Sequence, residues 1–409
     1  MKFLKIFFVV LCSVFPLLNY AQATATQQPQ QQVKENPYAI SILYGPYVHG
    51  ITETEATVVW VTDKPAVSWV EIAPDDGSHF YEKERTKYFD APLGRKVIGT
   101  FHKVKIEGLK PNSTYNYRVF SRRVVEEKMG QRGLTYYGAV ASSRVYKAIP
   151  PKFKTLDTSK KEIVFSVVND IHQRSEFLTN LLKHTPKNAD FIALNGDMVS
   201  SMESIQQVFD SYLTAVADFS KNGTPMFMIR GNHEARGLVS TDFMKFFPTS
   251  TGTPYFTFRV GPAMFVVIDG GEDKPDQGIE YSDRADFDTY RQKQADWLKK
   301  VIETDEFKKA PVKILITHIP PLGGGWHGAI HFQKCFADTI NKAGFSLIVS
   351  GHYHKYKFFE ASDIIKVPNI VNSAREMMNV KVNEKEITLS FVGEDGKKSR
   401  ADVIVPVVK

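Results

Sequence analysis

Five short apolar runs beyond residue 160 each lead straight into residues that can hold a metal ion. Ile163–Val168 is followed by Asn169-Asp170-Ile171-His172, and Phe191–Leu194 by Asn195-Gly196-Asp197. Met226–Ile229 is followed by Arg230-Gly231-Asn232-His233-Glu234. Ile314–Thr317 precedes His318, and Leu347–Ser350 precedes Gly351-His352-Tyr353-His354. Neutral imidazole and carboxylate suit Zn, Mn, Fe and similar divalent ions. Asp170, His172, Asp197, Asn232, His318, His352 and His354 are too many for one tetrahedral centre. They fit two ions that share a carboxylate. One such residue alone would read as an ordinary surface or core-satisfied polar group. The repetition of the pattern after every run is what carries the metal reading. Gly196, Gly231 and Gly351 each stand immediately before a ligand, where a tight turn and close approach are needed.

The runs that place these residues alternate with helical stretches at Ser175–His184, Glu203–Ser220, Ala285–Glu303 and Phe332–Lys342. In Glu203–Ser220, Ile205, Val208, Phe209, Tyr212, Leu213 and Val216 fall at helical spacing. Strand–helix alternation predicts an α/β domain with a mixed or parallel sheet, and such sheets gather ligands at the carboxyl ends of strands. Its tail, Glu386–Phe391 and Ala401–Val407 around Glu394-Asp395-Gly396, reads as a hairpin. Upstream the rhythm differs. Ala56–Thr62, Val67–Ile72, Val97–Ile106, Thr114–Phe120 and Ser142–Tyr146 are β-type runs. Turns punctuate them at Asp63-Lys64-Pro65, Pro74-Asp75-Asp76-Gly77 and Lys110-Pro111-Asn112-Ser113. Residues 37–147 therefore read as an all-β sandwich able to fold alone, 148–160 as a linker around Ile149-Pro150-Pro151, and 161–409 as the metal-bearing domain.

The blocks D-x-H, G-D, G-N-H-E, H and G-H-x-H resemble the calcineurin-like metallophosphoesterase superfamily from Glu162 to near the C-terminus. The run Leu109–Val119 resembles the fibronectin type III pattern, with Tyr115 in place to tie its hydroxyl back to the backbone at a strand corner. A β-domain of this kind before the phosphoesterase resembles the arrangement in purple acid phosphatases. The resemblance implies mixed sheets flanked by helices, two divalent ions (Mn, Zn or Fe), and hydrolysis by in-line attack of a metal-bridged hydroxide. One ion would take Asp170, His172, Asp197 and His354; the other Asp197, Asn232, His318 and His352. It further implies that His233 is an acid or transition-state stabiliser, oriented by Glu234 or with Glu234 capping a turn. His327, in the Gly-rich loop after His318, would be a phosphate contact. Two departures stand out. Asn169 replaces a Gly of the first block, which is a backbone matter. Ser200 stands where purple acid phosphatases carry a tyrosine ligand, so the resemblance implies a colourless centre of divalent ions with His172 in the tyrosine's stead.

Other candidates read as structural. His331, Arg230 and Arg236 are second-choice phosphate contacts, Met377-Met378 and Phe246-Phe247 are core, and Asp269 ends a strand with no partner in sight. The chain has 409 residues, 43% hydrophobic and 24% charged, with a formal net charge of +7, which excludes wholesale disorder. The basic residues are scattered, so no nucleic-acid partner is expected. Lys2 and Lys5, the apolar Phe7–Leu18 and Ala21-Gln22-Ala23 read as a signal peptide cut after Ala23, directing export to a periplasmic or extracellular space. Leu11 before Cys12 does not suit a lipoprotein, and no stretch predicts stable membrane insertion. A Gln-rich tether follows over residues 24–36. Cys335 is then the sole cysteine, expected to act as a small buried hydrophobe. The leading expectation is an exported phosphomonoesterase acting on a small phosphate ester. A phosphodiesterase acting on nucleotides or lipid headgroups is the alternative within the superfamily, and a non-catalytic binding protein the alternative outside it. Specificity lies in loops, and neither it nor oligomeric state is written in these motifs.

Overall fold

The structure is a computed structural model and describes residues 36–130, 132–143 and 149–408. The expected signal peptide, Cys12, nearly all of the Gln-rich tether, the end of the Ser142–Tyr146 run and the boundary at Lys147 lie outside the described residues. No helix among the described residues is long and apolar enough to cross a membrane.

The first domain is all β. Its strands are Ile42–His49, Ala56–Pro74, Lys87–Phe89, Ile98–Ile106, Thr114–Lys128 and Leu134–Ser142. Ala56–Pro74 is one strand of 19 residues, where the sequence predicts two strands and a turn. Asp63-Lys64-Pro65 does not break it because both halves are paired. The first half holds Ile42–His49 and the second holds Thr114–Lys128, and the interruption is absorbed as a register shift against Ile98–Ile106. Pro65, which lacks an N–H, lies inside that shift. Tyr115 Oη accepts the Lys110 N–H at 3.0 Å, the corner bond expected of it.

The second domain is two six-stranded mixed sheets packed face to face. One runs, in order, Met226–Ile229, Phe191–Asn195, Glu162–Val168, Glu376–Asn383, Glu386–Gly393, Val403–Pro406. The other runs Phe256–Val260, Ala263–Val267, Val312–Ile316, Leu347–Ser350, Asn369–Val371, Lys357–Phe359. The apolar runs are buried on both faces, which is why they read as continuous rather than alternating. Phe191 and Ala193 point between the sheets, while Ile192 and Leu194 point outward beneath helices. The interior between the sheets is aromatic: Phe165 stacks on Phe191 at 4.6 Å and Phe258 on Phe265 at 4.7 Å. Burying each such ring is worth about 1.5–3 kcal/mol. Helix Ser175–Leu182 and the run from Ile205 to Ser220 cover the outer face of the first sheet. That run holds a π-turn at Phe209–Leu213. Helices Phe287–Val301 and His327–Lys342 cover the second sheet.

The linker is not free. Lys152–Lys154 is a strand that pairs with Thr114–Asn116 of the first domain and with Asn222–Gly223 of the second. The domains also share a core. Tyr47 Oη donates to the Phe246 carbonyl at 2.7 Å, and Tyr44 stacks on Phe209 at 4.6 Å. The His49 ring is fully buried between the Pro248 carbonyl and the Met228 N–H. Where the sequence predicts a first domain that folds alone, its apolar surface is continuous with that of the second.

Candidate metal centre

The five motif loops meet at one end of the paired sheets. Tight turns there are forced by the strands' ends, and the backbone shows it. Asp170, His172, Asp197, His352 and His354 all have positive φ, between 46° and 72°. A non-glycine residue in that region is uncommon and costs about 1–3 kcal/mol, a strain that collects at functional sites. The first two loops are tied together: the Asp170 N–H donates to the Gly196 carbonyl and the His172 N–H to the Asp197 carbonyl. The glycines act as expected. A Cβ on Gly196 would lie 2.4 Å from His318 Nδ1, and one on Gly231 2.3 Å from Asp197 Oδ1.

Two clusters result. Asp170, His172, Asp197 and His354 bring ligand atoms within 4.8 Å of one another, as do Asp197, His318 and His352. Asp197 is common to both. His172 Nε2 and His354 Nε2 are 3.1 Å apart, His354 Nε2 is 3.2 Å from Asp170 Oδ1, and His318 Nε2 is 3.0 Å from Asp197 Oδ2. Asn232 joins the second cluster through Oδ1, which accepts from His352 Nδ1 at 3.0 Å. Asp170 Oδ1, His318 Nε2 and His352 Nε2 are buried with no hydrogen-bond partner. Buried polar atoms are rarely left so, and their convergence on one spot is what a cation would satisfy. Oxygen and imidazole donors fit a divalent ion of the Zn, Mn or Fe type.

Supporting contacts fix each ligand. The Asn195 carbonyl accepts from His318 Nδ1 at 2.7 Å, which leaves Nε2 to face the site. Burial works against a charge on His318, but the Asp197 and Asp170 carboxylates overcome it and push its pKa up to about 10. Asp197 is held well below the usual carboxylate range: its burial opposes this, and the His318 charge beside it outweighs the burial. Burial, aided by the His318 charge, pushes His352 down to about 4.

His233 sits at the rim. Its Nδ1 donates to the Ser200 carbonyl at 2.7 Å, and Nε2 lies 3.9 Å from Asp197 Oδ2. Its orienting partner is thus the residue that stands in the tyrosine's place. The Glu234 carboxylate makes its hydrogen bonds to backbone rather than to the His233 ring. It is fully buried and accepts the N–H groups of Asp197, Met198, Val199 and Gly231, clamping the turn that carries Asp197.

His327 is placed differently from expectation. It opens helix His327–Lys342, which begins five residues before the sequence predicts, and its Nε2 lies 2.8 Å from Asp288 Oδ1. Its ring stacks on His331, so it is committed to a helix–helix contact outside both clusters. Arg230 pairs with Asp269, whose Oδ2 also accepts from Tyr290, so Asp269 has partners after all. Arg236 is held by Glu272. Cys335 is half-buried beside His331 rather than in the core.

Three side chains escaped the sequence reading. Asn169, treated there as a backbone substitution, donates from Nδ2 to Asp170 Oδ2 at 2.5 Å. Asn372 Nδ2 donates to Asn169 Oδ1 at 2.8 Å and completes that brace. Asn372 follows strand Asn369–Val371, so it obeys the same strand-end rule behind a run too short to notice. Asp273 Oδ2 lies 3.7 Å from His352 Nε2, and nothing in its sequence neighbourhood signals this.

Comparison with known proteins agrees with this geometry. Residues 163–356 match the calcineurin-like phosphoesterase family, and residues 46–144 match the purple acid phosphatase N-terminal domain. The chain is 26% identical over 185 residues to serine/threonine-protein phosphatase CPPED1 of Mus musculus, covering 43% of this chain and 56% of the relative. It is 23% identical over 308 residues to purple acid phosphatase 21 of Arabidopsis thaliana, covering 68% and 60%. The chain thus spans less than two thirds of the length of these curated relatives. Among solved structures, purple acid phosphatase PPD1 from Lupinus luteus superposes with a TM-score of 0.61 at 14% identity, covering 89% of this chain and 74% of that one. That likeness shows the fold.

Proposed function

We propose that this chain, a calcineurin-like phosphoesterase domain behind a purple acid phosphatase N-terminal domain, is a metal-dependent phosphoric monoester hydrolase. The observation that carries the reading is the pair of Asp/His clusters sharing Asp197, with Asp170 Oδ1, His318 Nε2 and His352 Nε2 buried and unpartnered between them. When bound, two divalent ions supply the charge that clamps a phosphoryl group and draw a nucleophile from water near neutral pH. Asp170, His172, Asp197 and His354 would hold one ion, and Asp197, Asn232, His318 and His352 the other. His233, with Nδ1–H committed to the Ser200 carbonyl, presents Nε2 to the site, and in its imidazolium form it gives the Nε2 proton to the leaving oxygen and is left neutral. The relatives' names, a protein phosphatase and acid phosphatases, favour monoesters over diesters. Residues 1–23 direct export, and the folded chain then works with Cys335 as its sole cysteine.

The test is purification from the native host compartment, metal analysis, and hydrolysis of 4-nitrophenyl phosphate against bis(4-nitrophenyl) phosphate. Expected are close to two divalent ions per chain, monoester turnover well above diester turnover, and loss of both ions and turnover on chelation. A metal-free protein with undiminished turnover, or diester preference, would overturn the reading.

A further inference from the structure

Trp326 is a large aromatic side chain left 47% exposed between a run of three glycines and the start of helix His327–Lys342. Its ring stands edge-on to the ring of His352, with centroids 5.0 Å apart and planes at 82°. It also meets Tyr353 at 5.6 Å. His352 turns Nε2 inward, buried and without a partner, so Trp326 lies against a residue of the second cluster. The loop is held from both sides. Tyr353 Oη donates to the Leu322 carbonyl at 2.9 Å, and the Gly328 N–H donates to the Asp273 carbonyl at 2.9 Å. The indole N–H has no hydrogen-bond partner among the described residues. A half-exposed indole costs hydrophobic free energy and adds little to the core. Single exposed apolar residues are common, but this one is braced against the site by ordered backbone.

We propose that Trp326 is a stacking platform for a planar aromatic part of the substrate, held there while the phosphoryl group occupies the Asp/His clusters. This rests on the hydrolase reading and narrows it to phosphate monoesters that carry an aromatic ring, either bonded directly to the ester oxygen or one sugar away as a nucleobase. Stacking of a base on an aromatic side chain changes binding by about 5- to 150-fold on alanine substitution.

The experiment compares wild type, Trp326→Ala and Trp326→Phe as full chains loaded with Mn. KM and kcat are measured for phenyl phosphate, adenosine 5′-monophosphate and glycerol 1-phosphate, and calorimetry compares phenylphosphonate with methylphosphonate, which are not hydrolysed. In Trp326→Ala the ratio of KM for at least one aromatic ester to KM for glycerol phosphate should rise about 10-fold or more, with Phe restoring most of it. A rise for phenyl phosphate alone assigns the directly bonded ring, and a rise for the nucleotide alone assigns the base. Wild type should bind phenylphosphonate more tightly than methylphosphonate, and Trp326→Ala should erase the difference. If all esters are hydrolysed and neither preference exists, the platform is wrong and the hydrolase reading survives. If none is hydrolysed but the phosphonate preference is present and lost in Trp326→Ala, the platform stands and the hydrolase reading fails.

Discussion

Asp197 is the carboxylate common to both clusters, so its loss should be felt twice. Asp197→Ala should abolish turnover and lower bound metal, and Asp197→Asn, which keeps the shape, should do nearly the same because the shared charge is what matters. Metal analysis beside kinetics checks this, and near wild-type turnover with two ions would remove the shared-ligand assignment. His233 belongs to neither cluster, and its Nε2 stands 3.9 Å from Asp197 Oδ2 at their rim. His233→Ala should therefore retain metal while kcat falls about 10²–10⁴-fold. The loss should shrink for nitrophenyl phosphate, whose leaving group needs no proton, and grow for alkyl phosphates. Equal losses for both would point to electrostatic stabilisation instead.

At the scale of elements, the site is a set of strand ends with a brace behind them. Glu234 lies in a single turn of 3₁₀ helix, His233–Ala235, and reaches back to four N–H groups of the neighbouring ligand loops. Glu234→Gln keeps the volume but presents an amide to donors that want a carboxylate. It should cost about 1–3 kcal/mol of stability, read as a lowered urea midpoint, and weaken metal binding without touching a ligand. Unchanged stability and metal content would show that the turn holds itself. The gathering of these Asp and His side chains was legible in the sequence because each follows the end of a strand by a few residues. The Asn169–Asn372 brace was not, because its halves are 203 residues apart and meet only once strand order is known. The partner of His327 was hidden for the same reason: Asp288, which holds it, lies 39 residues upstream on another helix.

Across the whole molecule, the two domains are joined by buried contacts rather than by a flexible linker. Residues 37–143 expressed alone should be aggregation-prone or poorly folded, since Tyr47 and His49 would lose their partners Phe246, Pro248 and Met228. A soluble β-rich fragment with a cooperative melt would count against this. His49 also gives the interface a pH dependence. Burial pushes its pKa from 6.5 down to about 4, against the pull of its bond to Pro248. The unfolded chain therefore binds the proton first, so stability is complete above about pH 6.5 and declines as pH falls towards 4. The loss approaches about 3 kcal/mol at pH 4. Urea unfolding across that range should show the decline in wild type and a shallower one in His49→Gln; equal slopes would place the dependence elsewhere.

The sequence by itself determined the fold class and the strand ends at which the Asp and His residues gather. Each of these follows from short-range pattern: apolar runs long enough to be buried on both faces, and polar residues set directly at their ends. Tyr115 and its corner bond to Lys110, five residues away, belong to the same category. Only the tertiary structure decided what depends on distant partners. It made Ala56–Pro74 one strand, turned Lys152–Lys154 from linker into a strand between domains, and withdrew His327 to Asp288. It also set Trp326 against His352. Local composition sets which residues can form an element or hold an ion, while sheet order and packing choose which of them meet, and that choice is carried by no single segment of the chain.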